Sequence, residues 1–284
     1  MKKHVTIGLI QTKVSDNSLV NLEKIEKLIV KAAKQGAEII CLPELFLSPY
    51  FCQGPKDNKF FDLAETIPGP TTTTLSKLAK KYSVVILASI FEKTKNKKYY
   101  NSLVVIGSKG TVTDIYHKMH IPSLPIDYYS ENYYFEKGKT DFKIFKTEFG
   151  NIGTLICYDQ WFPEAARMAA AKGAQIIFYP TAIGWPEGNP KWKKDAEHNA
   201  WQITQRSHGI DNNVFIAAVN RIGLENNIRF WGSSFVSDPY GRVLAEASTN
   251  KEEILIAKID YSVTDKMREE WPFLKERRIK VENN

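Results

Sequence analysis

Residues 36-GAEIICLPE-44 return almost unchanged as 173-GAQIIFYPT-181. In both copies a glycine precedes an apolar run that closes on proline. Glycine at that place is a helix stop, because it takes the left-handed conformation at little steric cost. A run that is apolar at every position is a strand covered on both faces, since a half-buried strand would alternate. Each copy therefore reads as a helix end, a glycine and a buried strand.

Outward from this pair the echo keeps its order. The stretch 83-SVVILASI-90 aligns with 213-NVFIAAVN-220, and 102-SLVVIGSKGTV-112 aligns with 233-SSFVSDPYGRV-243. The segments 6-TIGLIQ-11 and 151-NIGTLIC-157 match more loosely. Offsets stay within a narrow band, so the chain reads as an internal duplication. Each half runs strand, helix, strand, helix, strand, turn, strand. Leu22, Ile25, Ile29, Ala32 and Ala33 recur at helical spacing ahead of Gly36. Pro163 suits a first helical position, and Gly173 ends the Ala-rich helix behind it. IGSKGTV and SDPYGRV carry hairpin-turn residues. The expected architecture is two α/β halves related by a pseudo-twofold axis, their sheets face to face and their helices outside. The alternative is an ordinary doubly wound α/β domain.

With 284 residues the chain is long enough for a substantial core. Its 43% hydrophobic and 25% charged content is that of a globular protein. No stretch approaches the roughly 18 apolar residues of a membrane span, and MKKHVTIGLIQTK lacks a secretory core and cleavage site. The expectation is a cytoplasmic protein without membrane partners. Cys41, Cys52 and Cys157 cannot all pair, which fits reduced thiols. The net charge of +7 raises nucleic acid as a partner. The basic residues are scattered, however, and the clusters 93-KTKNKK-98 and 275-KERRIK-280 come with no zinc-finger or RNA-binding motif. The first reads as a solvated hairpin loop, and nucleic acid is set aside.

Three reactive residues stand at strand ends. Glu44 closes IICLPE, Cys157 closes GTLIC, and Lys118 follows TVTDIYH. Ligands of α/β sheets bind beyond such carboxyl ends. The repeat partners of these residues are Thr181, Gln11 and Thr249. A symmetric scaffold thus carries an asymmetric reactive set, which packing alone does not require. A thiol is a strong nucleophile once a base takes its proton. A carboxylate can take that proton and return it to a leaving amine. An ammonium can hold the oxyanion between those steps, with the backbone N–H of Tyr158 as a second donor. Taken singly, a cysteine in an apolar strand is core filler, and Cys41 and Cys52 keep that reading. A Cys–His dyad is the rival arrangement. His117 and His120 flank Lys118, His4 opens a strand, and His198 and His208 lie on a helix-like stretch. No papain-like signature surrounds Cys157, and no HExxH metal motif is present.

The segments 43-PELF-46, 116-YHKMHIP-122 and 153-GTLICYDQWFPEAAR-167 resemble, in order and spacing, the glutamate, lysine and cysteine motifs of the nitrilase, or carbon–nitrogen hydrolase, superfamily. The usual lysine motif has Arg where this chain has His117. The resemblance covers nearly the whole chain. It implies one domain over residues 1–284, a four-layer α-β-β-α sandwich, and a Glu44–Lys118–Cys157 triad. It also implies a second glutamate after the lysine motif, here Glu131, that orients the substrate nitrogen or holds Lys118. It further implies a small-molecule amide-like substrate, no metal or organic cofactor, and a homo-oligomer of two or more chains.

Branches of the family that act on carboxylate-bearing substrates commonly place arginine just after the Asp of the cysteine motif. Here Asp159 is followed by Gln160, Trp161 and Phe162. A neutral or cationic tail fits that better, because a carboxylate would lack its bidentate partner. The stretches 45-LFLSPYFCQ-53, 130-SENYYF-135, 179-YPTAIGW-185 and 201-WQITQRSHGIDNNVFIAAVNRIG-223 resemble the N-carbamoylputrescine amidohydrolase branch. An ω-amidase or a β-ureidopropionase-like hydrolase is the alternative within the family, and a non-catalytic scaffold the alternative outside it. A cationic tail needs aromatic walls and an acidic end. Tyr50, Trp161, Trp185 and Glu187 are the candidates for these. The aromatic run 128-YYSENYYF-135 could cover the site or an interface.

Overall fold

The apolar runs become strands because each has a partner layer on both faces. The first half contributes β1 (His4–Gln11), α1 (Ser18–Lys34), β2 (Ile39–Cys41), α2 (Pro70–Tyr82), β3 (Val85–Lys93), β4 (Tyr99–Ile106) and β5 (Val112–His117). The second contributes β6 (Ile144–Thr147), β7 (Gly150–Thr154), α3 (Pro163–Ala171), β8 (Ile176–Pro180), β9 (Gly184–Pro186), α4 (Lys191–Asn212) and β10 (Phe215–Val219). It continues through β11 (Ile222–Glu225), β12 (Ile228–Trp231), β13 (Phe235–Ser237), β14 (Val243–Glu246), β15 (Glu253–Asp260), α5 (Ser262–Glu270) and α6 (Phe273–Glu276). This computed structural model describes residues 2–123, 129–139 and 142–278. Tyr128 of the aromatic run, and Ile279 and Lys280 of the second basic cluster, lie outside the described residues.

Two six-stranded sheets form, ordered β15-β1-β2-β3-β4-β5 and β6-β7-β8-β10-β13-β14. Read in that direction, both follow the same pairing sequence: antiparallel, parallel, parallel, antiparallel, antiparallel. The duplication extends to single hydrogen bonds. In the β4–β5 turn, Gly107 N–H donates to Thr111 O at 2.9 Å and Gly110 N–H to Gly107 O at 2.8 Å. In the β13–β14 turn, Asp238 N–H donates to Arg242 O at 3.0 Å and Gly241 N–H to Asp238 O at 2.8 Å. Gly36 (φ +91°) and Gly173 (φ +102°) both take the left-handed stop that their position after a helix requires.

Alternation along β3 shows the layers. Val85 and Leu87 pack with Ile152, Ile176 and Phe178 of the other sheet. Ile86, Ala88 and Ile90 pack outward on Ile25 and Ile29 of α1 and Leu75 and Ala79 of α2. On the far side, Ala165, Ala169 and Trp201 of α3 and α4 cover the second sheet. The result is the α-β-β-α sandwich, not a single doubly wound sheet.

Two features go beyond the sequence reading. Each sheet has a sixth strand, β15 or β6, antiparallel to β1 or β7. A third small sheet, β11-β12-β9, stands beside the sandwich. The basic stretch 93–98 is a hairpin loop closed by Thr94 N–H to Lys98 O at 2.8 Å, as expected. Among the described residues no helix is long and apolar enough to cross a membrane.

Candidate active site

Each reactive side chain is delivered by a strand end. Glu44 follows β2, Lys118 follows β5 directly, and Cys157 follows β7 in a short 3-10 turn, Cys157–Trp161. Cys157 has φ +42°, a left-handed conformation that costs energy for a side-chain-bearing residue. The loop after Glu44 is fixed from behind by Arg221, which is fully buried. Its guanidinium donates to Glu44 O at 2.6 Å, Leu45 O at 2.9 Å and Ser48 O at 3.2 Å. The same group pairs with both oxygens of Glu225 at 3.0 Å.

Lys118 is the hub. Its Nζ donates to Glu44 Oε1 at 2.8 Å and to the two oxygens of Glu131 at 2.8 and 2.7 Å. Asn101 Nδ2 donates to Glu44 Oε1 at 2.7 Å, and Ala182 N–H donates to Glu44 Oε2 at 2.9 Å. All of these side chains are fully buried. Burial alone would push the ammonium of Lys118 down, but the Glu131 and Glu44 carboxylates overcome it and hold it well above the usual lysine value. For Glu131, burial outweighs the pull of Lys118, Glu44 adds repulsion, and the carboxyl is raised to about 7. Burial and then the Glu44 carboxylate raise the Cys157 thiol, so it rests protonated beside a base. Nucleophile, carboxylate and cation are thus gathered at one place, which is what acyl transfer through a thiol requires.

A cavity of about 490 Å³ opens over Cys157. Glu131, Tyr158 and Trp161 line it. Tyr50 stands behind the site, its hydroxyl donating to Glu131 Oε1 at 2.7 Å. Burial and the Glu131 charge push that phenol up, so it remains a donor. Trp185 and Glu187, expected at the tail, are not in the cavity wall. β9 explains why: Gly184 and Pro186 line the cavity, and Trp185 between them faces the opposite way, as strand alternation dictates. Trp185 stacks on Trp231 at 4.8 Å. Glu187 is spent on a two-pronged pair with Arg229, at 2.8 Å to Nε and 2.6 Å to Nη2. The carboxylate in the wall beside Glu131 is Glu197. The i, i+4, i+7 spacing of Lys193, Glu197 and Ala200, which line the cavity from α4, was the sequence signal for it.

Sequence reasoning also missed Asp159, which joins the cysteine and lysine loops. Fully buried, it accepts from Ile156 N–H at 2.9 Å, His120 N–H at 3.0 Å and Tyr116 Oη at 2.8 Å. The ring of His120 lies 2.7 Å away through Nδ1 and stacks on Phe162 at 3.7 Å. His117, instead of a loop residue near the thiol, ends β5 and contacts Glu92 at 2.8 Å. His208 contacts Gln160 O at 2.8 Å, His4 faces Asp260 at 3.7 Å, and His198 packs on Trp201 and Trp231. Every histidine is committed elsewhere, and the Cys–His dyad finds no support.

This fold and this cluster define a class. The carbon–nitrogen hydrolase family profile matches residues 6–269, and the chain belongs to that family. It is an amidohydrolase acting on C–N bonds. A protein of Arabidopsis thaliana named N-carbamoylputrescine amidase is 39% identical over 286 residues, covering 98% of this chain and 93% of its own length. A Francisella tularensis protein named citrullinase is 40% identical over 280 residues, covering 97% of this chain and 96% of its own length. The crystal structure of a carbon-nitrogen hydrolase from Helicobacter pylori G27 is 39% identical and matches with a TM-score of 0.92, covering 97% of this chain and 96% of that one.

Proposed function

We propose that the chain is a cofactor-free thiol amidohydrolase that removes the carbamoyl group of a ureido amine, N-carbamoylputrescine being the substrate that fits. The observation that carries the reading is the buried Lys118 ammonium bonded to both Glu44 and Glu131 beside Cys157. Glu44 takes the thiol proton as sulfur attacks the carbamoyl carbon. The oxyanion is held by Lys118 and the Tyr158 N–H. The C–N bond breaks, and the leaving nitrogen takes the proton from Glu44. Water, activated by Glu44, then opens the S-carbamoyl thioester to a carbamic acid, which loses CO₂ and so breaks the second C–N bond. One water is consumed, and the amine, ammonia and CO₂ are released. Glu131, gripped by Lys118 and Tyr50, keeps the cation in place and faces the substrate nitrogen. The aromatic wall of Tyr158 and Trp161 suits an alkyl chain, and Glu197 offers a partner to a terminal ammonium. The relatives named N-carbamoylputrescine amidase support the same substrate class.

The exposed Trp192 and Ile203 on α4 are consistent with association between copies, which light scattering measures. The function is tested by ammonia release from N-carbamoylputrescine, N-carbamoyl-β-alanine and the ω-amide of a dicarboxylate, side by side. Preference for the first is expected, with no turnover by Cys157→Ala. Preference for either acidic substrate would move the enzyme to the β-ureidopropionase-like or ω-amidase branch. Full activity of a folded Cys157→Ala would remove the thiol mechanism altogether.

A further inference from the structure

Two polar side chains stand where the inner faces of β3 and β4 would otherwise be apolar. Strand alternation puts Val85, Leu87 and Ser89 on one face of β3, and Asn101, Leu103 and Val105 on one face of β4. Val85, Leu87, Leu103 and Val105 fill the core between the sheets, whereas Ser89 and Asn101 are polar and fully buried. The duplication gives no reason for them. It sets Val219, a buried apolar residue, opposite Ser89, and Gly232 opposite Asn101. The half that carries Glu44 has the pair and the other half does not. Burying such groups is costly unless their hydrogen bonds are made. Here the bonds form a single chain that ends on Glu44. Leu45 N–H donates to Ser89 Oγ at 3.1 Å, Ser89 Oγ donates to Asn101 Oδ1 at 3.0 Å, and Asn101 Nδ2 donates to Glu44 Oε1 at 2.7 Å. A peptide N–H can only donate and an ionised carboxylate can only accept, so the two ends fix the direction of every link. The chain starts and finishes on adjacent residues, and the backbone it holds at Leu45 is left-handed, with φ +47°. Asn101 also holds the lysine loop, because its carbonyl accepts from Lys118 N–H at 2.9 Å.

A carboxylate has about four lone-pair sites, shared equally between its oxygens. On Glu44, Oε1 has both of its sites taken, by Asn101 Nδ2 and by Lys118 Nζ at 2.8 Å. Among the described residues Oε2 accepts only from Ala182 N–H, at 2.9 Å, and so keeps a site open. Burial and the Glu44 charge raise the Cys157 thiol, and a hydrogen bond from the same Ala182 N–H opposes them, so Oε2 and the sulfur stand around one donor. We propose that Asn101, oriented by Ser89, is a positioning residue that closes Oε1 of Glu44 and leaves Oε2 as the oxygen that carries the proton. This role deepens the thiol-hydrolase reading and rests on it. As the sulfur–carbon bond forms, the thiol proton passes to Oε2. As the carbon–nitrogen bond breaks, Oε2 gives that proton to the leaving nitrogen. The attacking water then loses a proton to the same oxygen, and the sulfur takes it back when the thioester opens. Oε1 stays bonded to Asn101 and Lys118 throughout, so the carboxylate does not turn between steps.

Asn101→Leu keeps the side-chain volume and removes the donor. Ser89→Ala keeps the donor and removes what orients it. Wild type and both variants are compared in two rates, with circular dichroism as the fold check. One is ammonia release from N-carbamoylputrescine. The other is alkylation of Cys157 by iodoacetamide, followed by mass spectrometry with Cys157→Ala as the blank. Alkylation needs the thiol proton removed but needs no substrate, so it reads the role of Asn101 independently of the substrate. Asn101→Leu is expected to slow both alkylation and kcat by about tenfold or more, and Ser89→Ala to slow both by less. KM should stay within about threefold, since neither residue lines the cavity. A purely structural role would destabilise a variant yet leave its folded form alkylated at the wild-type rate, and that result would overturn the proposal. A raised KM with unchanged kcat would overturn it too. If Asn101→Leu does not fold, Ser89→Ala decides by the same criteria. Slowed alkylation in a protein that does not turn over N-carbamoylputrescine would sink that substrate and leave the positioning role standing.

Discussion

Glu131 sets the charge of the site. It shares one buried ammonium with Glu44, so two carboxylates compete for a single counter-charge. Burial, with repulsion from the Glu44 carboxylate, outweighs the pull of Lys118 and raises the Glu131 carboxyl to about 7. An unfolded glutamate titrates near about 4.3. Below that value the carboxyl is protonated in both states, and the folded protein bears no cost. Between there and about 7 the folded state holds a proton that the unfolded chain has released. The contribution is therefore full at low pH and is lost as pH rises through 7. Glu131→Gln removes the titration, so its melting temperature relative to wild type should climb from pH 5 to about pH 7 and level off by pH 8. A difference that stays flat over that range would show that Glu131 does not titrate there. Catalysis should depend on the same group in the opposite sense, because the ionised form grips Lys118 best. The wild-type rate should rise through a pKa of about 7 that is missing from the variant.

Among the elements, two buried charged residues do what no single motif reveals. Arg221 stitches the loop after Glu44, and Asp159 ties the cysteine turn to the lysine loop through Ile156, Tyr116 and His120. Asp159→Asn keeps the shape but loses charge and acceptor capacity. A stability loss of about 1.5–3 kcal/mol is expected from weakened charge-assisted bonds. A loss of roughly 100-fold in kcat should accompany it, because a small displacement of a nucleophile is enough for that. KM should change far less, since Asp159 is not a lining residue. A parallel rise in KM would place it in binding instead. The same scale shows why the site was only partly legible. Glu44, Lys118 and Cys157 announce themselves at the ends of apolar runs. Trp185 and Glu187 misled because β9 is only three residues long and carries no alternation to read, so its facing could not be assigned. Arg221 reaches Glu44, Leu45 and Ser48, and Asp159 reaches Tyr116 and His120, neighbours distant in sequence that no local pattern encodes.

For the whole molecule, the duplication made the sandwich readable, and it also explains what stayed hidden. Buried strands, helix stops and hairpin turns are local signals, and each occurs twice. Of the two sixth strands, β6 is the hairpin partner of β7, but β15 is not local. β15 is aligned with β1 through eight pairs, from His4 with Asp260 to Gln11 with Glu253, so the end of the chain completes the sheet of its beginning. Within the sheet β15 is only partly buried, and its partner β1 lies at the far end of the sequence, so no local pattern signals the pairing. It follows that the first sheet is not complete until the last strand arrives. Without β15, β1 would present a long row of free N–H and C=O groups beside an apolar core, a template for aggregation. A chain ending at residue 252 should therefore be insoluble or melt far below the full protein. A chain ending at residue 272 keeps β15 and α5, and should remain soluble and cooperative in unfolding. Expression of both, followed by size-exclusion chromatography and thermal melts, makes the comparison. A soluble 1–252 chain with an unchanged melting temperature would mean that the first sheet closes on its own, and that β15 caps an edge already stable without it.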